Sequence, residues 1–174
     1  MRKFITMLFV AVAAAACAFA LVACGSSQEM QKIDMGDYTF EVPAEWGELQ
    51  QTYPDMEMYW IGGDEDHPLM TTSRDALDPA DGTPAEATQA VLDMWFNDSD
   101  TTKHIDAVDF MVGDLPARAS LVDFGDGTAV YRIMFSPDGQ DYVEFNVTLE
   151  SPDDADGIAV GKAIQDSIAL PDVS

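Results

Sequence analysis

Apart from carboxylates, this chain has few residues able to do chemistry. Two histidines and two cysteines stand beside 32 Asp and Glu in 174 residues. Asp64-Glu65-Asp66-His67 offers oxygen and imidazole donors of the kind that bind a divalent cation. The run lies between Gly62-Gly63 and Pro68, however, and is read as an exposed polar turn. His104 has no second histidine at zinc-site spacing. An EF-hand loop needs acids at positions one, three and five before its glycine, and a glutamate at twelve. Aligned on Gly157, position one is Pro152 and position twelve is Ala163. Aligned on Gly127, Val122 and Phe124 occupy acid positions. No Gly-x-Ser-x-Gly elbow, Ser-x-x-Lys or glycine-rich phosphate loop occurs. Neither histidine has a suitable serine nearby in sequence, and paired carboxylates are too common here to be informative. No catalytic, cofactor-binding or metal-binding residue is therefore assigned, and no cofactor is expected. Arg118 and Arg132 are expected near one another across a short turn. They could hold an anion, but pairing with neighbours such as Glu144 is the reading adopted.

The cysteines carry a different chemistry. Met1-Arg2-Lys3 opens the chain, and Phe4 to Ala23 follows with Thr6 as its one polar side chain. This is the basic and apolar order of a secretory signal. It ends in Leu21-Val22-Ala23-Cys24-Gly25, which resembles the bacterial lipobox. The resemblance implies cleavage after Ala23 and a diacylglycerol on the Cys24 sulfur. Each buried CH₂ contributes about 0.8 kcal/mol, so more than one acyl chain is needed for a durable anchor. A transmembrane helix is the competing reading, because the run is long enough to span. Its alanine-rich second half makes it only modestly apolar. Residues 1–23 are accordingly read as a lipoprotein signal peptide, 24–31 as the lipidated cysteine and a polar tether, and 32–171 as one domain. Cys17 leaves with the signal, so the mature domain has neither a disulfide nor a thiol nucleophile.

Formal net charge is -24, from 8 basic against 32 acidic residues. Loss of Arg2 and Lys3 makes the mature chain more acidic still. Such a surface repels nucleic acid and anionic lipid headgroups. It suits a basic partner, loosely held cations or simple solvation.

The elements that would position these groups follow from periodicity. Lys32–Met35 and Tyr38–Val42 read as strands joined at Gly36-Asp37, with Tyr38, Phe40 and Val42 facing one way. Met56–Ile61 and Leu69–Arg74 read as two more. Thr83-Pro84-Ala85-Glu86 is a capping box with proline at the first helical position. Ala87, Ala90, Val91, Met94 and Trp95 form the expected apolar stripe of the helix that follows. Ile105–Val112, Ala117–Phe124, Thr128–Phe135 and Tyr142–Leu149 form an antiparallel meander. Its inward sets are Ala129, Tyr131, Ile133 and Phe135, then Val143, Phe145, Val147 and Leu149. Ser151-Pro152 is the expected start of a last helix whose buried stripe is Val160, Ile164 and Ile168. Trp46, Trp60 and Trp95 are read as core.

This order predicts an α+β fold, an antiparallel sheet of about six to eight strands with two main helices. It resembles the Mog1/PsbP-like sandwich, including its bacterial lipoproteins. The resemblance lies in Tyr38-Thr-Phe-Glu-Val-Pro43 to Trp46, in Gly113-Asp-Leu-Pro-Ala117, and in Ile164-Gln-Asp-Ser167-Ile168. It implies a non-enzymatic binding or assembly module and no shared catalytic set. The expected role is therefore a protein-binding or scaffold lipoprotein on the extracytoplasmic face of the cell membrane. Cys24 would hold it there, facing an envelope protein or peptide partner and not nucleic acid. A small-ligand or divalent-cation binder is the alternative, and an envelope hydrolase the third.

Overall fold

A computed structural model describes residues 28–52 and 57–171. Cys24, the signal region and the start of the tether lie outside the described residues. The strands are β1 (Met30–Asp34), β2 (Thr39–Pro43), β3 (Gln50–Gln51), β4 (Met58–Gly63), β5 (Pro68–Ala76), β6 (Lys103–Val112), β7 (Leu115–Asp123), β8 (Ala129–Phe135) and β9 (Asp141–Leu149). The helices are α1 (Pro84–Trp95) and α2 (Ala155–Ser167), with short 3-10 turns at Ala44–Trp46 and Pro79–Asp81. β3 to β9 form one antiparallel sheet in the order β3-β4-β5-β9-β8-β7-β6, and β1 and β2 form a separate hairpin. This is the α+β architecture expected, with seven strands in the main sheet.

The sheet divides the molecule into layers. Tyr131, Ile133, Phe135, Val143, Phe145, Val147 and Leu149 are all buried on one face, as their alternation required. The hairpin and α2 cover that face. Tyr38 and Phe40 meet Phe135 and Phe145 in an aromatic cluster with ring centroids 4.7 to 6.2 Å apart. The chain leaving α2 is stitched to the hairpin. Thr39 and Ala169 exchange backbone hydrogen bonds of 2.8 and 2.9 Å, and the Glu41 N–H donates to Ser167 Oγ. Helix α1 lies on the opposite face, over β7.

Two local expectations are corrected. The buried face of α1 is Ala87, Thr88 and Leu92, while Met94 is 63% exposed and Trp95 37%. Thr88 can be buried because its hydroxyl donates to the Pro84 carbonyl at 2.7 Å, so its polarity is satisfied inside the helix. The last helix starts at Asp154, not Ser151. The Asp154 carboxylate accepts the N–H groups of Gly157 and Glu150, and this charge-assisted cap wins over a serine hydroxyl. Ser151-Pro152-Asp153 forms the turn ahead of it. The Thr83–Glu86 capping box forms as expected.

Gly161 lets α2 pack closely on the sheet. A Cβ there would lie 2.5 Å from Tyr131 Cδ1, and that ring is fixed by its hydroxyl bonding to Gln165 Oε1 at 2.7 Å. Gly161→Ala is expected to destabilise by about 1–2 kcal/mol in urea unfolding, because overpacking exceeds the gain in helix propensity. Adding Tyr131→Leu should return most of that loss. A stabilised Gly161→Ala variant would contradict the close approach of α2.

Candidate functional site

The acidic turns come first, because they carried the cation expectation. Asp64 Oδ1 accepts the N–H groups of Asp66 and His67, and the His67 ring stands 3.3 Å from it with both side chains largely exposed. Hydrogen bonding from the His67 backbone is the main reason the Asp64 carboxyl sits below its usual range. Asp126 accepts from the Thr128 hydroxyl and backbone. Asp138 accepts from the Gln140 and Asp141 N–H groups. These carboxylates close their own turns, the ordinary reason for aspartate at such positions. Among the described residues, no three His, Cys, Asp or Glu side chains converge as a metal site would require.

The two arginines paired out by sequence lie on the α1 face and are engaged locally. Arg132 meets Glu144 at 2.9 Å, with both side chains only 11 and 12% exposed, and its guanidinium lies 5.4 Å from the Trp95 ring centroid. Arg118 bonds Asp109 on β6 and Asp93 on α1 and stacks on Phe96. Pairing, with Glu144 among the partners, is therefore the arrangement found, and it ties α1 to the sheet. Trp95 departs from expectation in being a half-exposed lid on Arg132. Trp46 is packed against the core as expected.

The fold also creates a pair that sequence proximity could not suggest. His104 Nδ1 lies 3.2 Å from Ser120 Oγ, one strand away. Ser120 is fully buried and offers no accessible nucleophile. The His104 ring packs on Phe96, while Asp98 accepts its backbone N–H and so does not orient its imidazole. The pair is a buried polar contact, not a catalytic dyad. Burial, followed by the nearby Arg132 charge, lowers the His104 proton affinity below the ordinary imidazole value of 6.5. As pH falls below 6.5 the unfolded chain takes up this proton more readily than the folded one. The stability contributed by neutral His104 is therefore complete above 6.5 and is lost as pH falls through the lower folded value. The expected result is that wild-type stability falls more steeply from pH 7 to 5 than that of His104→Gln, measured by urea unfolding. Parallel curves would contradict it.

A third arrangement was not legible beforehand. Arg74 on β5 meets Asp37 at 2.7 Å, Asp141 at 2.9 Å, Asp138 at 3.1 Å and Glu57 at 3.5 Å. One guanidinium thus joins the β1–β2 turn, the β8–β9 turn and the start of β4. Among the described residues, Asp37 Oδ1 is buried with no hydrogen-bond partner.

A concave feature lies between the hairpin and the N-terminal half of α2, with a volume of about 960 Å³. Its apolar lining is Met30, Ala159, Val160 and Ala163. Its rim is acidic, with Glu45, Glu150, Asp154 and Asp156. Ala159 and Ala163 are four residues apart, so they share one helix face, and both are exposed. Gln28, which donates to Glu45, also lines the groove and is the first described residue, within the tether. The groove thus opens where the chain enters the domain. Among the described residues, no helix is long and apolar enough to cross a membrane.

No family model matches the chain, and no curated protein matches it. Among the solved structures that match is the solution structure of cyanobacterial PsbP (CyanoP) from Synechocystis sp. PCC 6803. It has 15% sequence identity and a TM-score of 0.49, covering 87% of this chain and 99% of that one.

Proposed function

We propose that the protein is a non-enzymatic binding module, held on the extracytoplasmic face of the cell membrane by acylated Cys24, that takes a basic protein or peptide partner in the groove between the hairpin and α2. The observation that carries this reading is the groove itself: an apolar floor bordered by four carboxylates, beside the root of the tether. An apolar floor contributes affinity by desolvation, and the acidic rim selects lysine and arginine and speeds their encounter. Gln28 is four positions from Cys24, so an anchor there would keep the groove close to the bilayer. A partner reaching it would be another envelope protein, met near its own membrane-proximal segment.

Two measurements test this. Cys24→Ser should move the protein from the membrane to the soluble fraction, and a variant that stayed with the membrane would contradict the anchor. A synthetic peptide with lysine and leucine at helical spacing should bind the lipidated protein in neutral lipid vesicles and weaken as salt rises. Ala159→Arg with Ala163→Arg should reduce that binding at least tenfold without loss of folding, because both positions are exposed. Unchanged binding would rule out the groove as the site.

A further inference from the structure

We infer that the outer edge of β6 is a second interaction surface, one that takes an extended basic polypeptide segment as an added strand. This goes beyond the groove reading and does not depend on it. The sheet order leaves two edges, β3 and β6. β3 is only two residues long, and a short edge strand offers little backbone to a newcomer. β6 is ten residues long and, among the described residues, pairs on one side only, with β7.

The edge is not open along its whole length. Asp98 Oδ1 caps the His104 N–H at 2.8 Å, and the register with β7 shifts between Ile105 and Val108, where Asp106 has a φ of 51°. That bulge blocks continuous pairing across the first half. From Val108 to Val112 the register is regular, so the usable edge is this second half.

Its side chains specify the newcomer. Val108 and Phe110 lie opposite Ala119 and Ala117, on the buried face of the sheet, yet Val108 is 46% exposed. Asp109 lies opposite Arg118 on the other face, with Met111 two residues on and 59% exposed. An added strand continues both faces. It would place apolar side chains beside Val108 and Phe110 and alternate side chains beside Asp109 and Met111. Charge decides between a foreign segment and a second copy. A second copy would bring another chain of net charge -24 against this edge, where Asp109, bonded to Arg118 but with its side chain 74% exposed, is the acid that faces the newcomer. A lysine-bearing segment meets the opposite sign.

The test uses the full chain and the peptide Lys-Val-Lys-Val-Lys-Val-Lys. Binding is followed by titration and by hydrogen exchange of individual amides. The expected result is new protection at the alternate amides of Val108 to Val112 that point away from β7. At least tenfold weaker binding is expected when alternate peptide nitrogens are methylated, and again in Val108→Lys with Met111→Lys, whose side chains are exposed. Equal binding of the methylated peptide would overturn the proposal, since strand addition requires its N–H groups. Protection confined to the groove beside α2 would overturn it too. So would a dimer of the protein alone that already protects these amides, because the occupant would then be a second copy. Ala159→Arg with Ala163→Arg should leave this binding intact, so either surface can fail without the other.

Discussion

Phe145→Ala is expected to lower the unfolding free energy by about 3–5 kcal/mol, the cost of emptying a large, closed aromatic site. Domains of this kind are stable by only about 5–15 kcal/mol, so the loss would be a large share of the total. Phe145 is fully buried on β9, between β5 and β8 at the middle of the sheet. Its ring lies 4.7 Å from that of Phe40 and 5.4 Å from that of Phe135. It therefore joins the main sheet to the hairpin, which has no strand pairing with that sheet. Phe145→Leu keeps most of the volume and should cost about 1.5 kcal/mol or less. Phe40→Ala should cost about as much as Phe145→Ala, and the double variant less than the sum, because both side chains border one cavity. Urea midpoints with unchanged slope would measure all four. Additive losses would show that hairpin and sheet do not share a core.

The buried faces that meet at this junction were legible in the sequence, because they belong to locally periodic strands, while their meeting was not. Tyr38, Phe40 and Val42, and then Val143, Phe145, Val147 and Leu149, alternate cleanly enough to name the buried face. The helix faces were less legible. Thr88 reads as polar in a helical stripe, yet its hydroxyl is satisfied within the helix, so its burial costs little. Ser151 reads as the cap, and only the two N–H groups reaching Asp154 move the helix start to it. Which strands end at an edge was not legible at all. β5 pairs with β9 across a long stretch of chain, and that non-local pairing leaves β6 outermost. The clue available was the pair Asp106 and Asp109 interrupting the apolar run from Ile105 to Val112, as charges do on edges. The groove had no sequence signal either, since it is made by Met30 and Glu45 meeting α2.

The use of positive charge ties the fold to the proposed role. Arg74, Arg118 and Arg132 all bind carboxylates between elements: hairpin to sheet, helix to edge strand, strand to strand. The arginines thus neutralise acids where the layers meet. The groove rim gains no such neutralisation from them. Basic groups at the joints and acidic groups at the openings suit a module that recognises cationic partners.

Arg74→Met is the sharpest test of that division. It is expected to destabilise the fold by about 2–4 kcal/mol, below the full cost of breaking a buried pair because its partners are partly solvated. The guanidinium is 20% exposed and meets four carboxylates from three separate parts of the chain. Hydrogen bonds from its N–H groups to Asp37 and Asp141 hold its own proton more tightly than usual, despite the opposing effect of burial. Methionine keeps much of the stem volume but leaves those four acids facing one another, including the buried Asp37 Oδ1. The loss should therefore depend on salt. Raising the ionic strength from 0.15 to 1 M shortens the screening length from about 8 to about 3 Å, which weakens repulsion in the variant and attraction in the wild type. The two stabilities should converge as salt is added. Arg74→Lys should recover only part of the difference, because an ammonium cannot span Asp37, Asp138 and Asp141 as a planar fork does. A deficit that is large but independent of salt would mean that Arg74 acts through the packing of its stem and not through its charge.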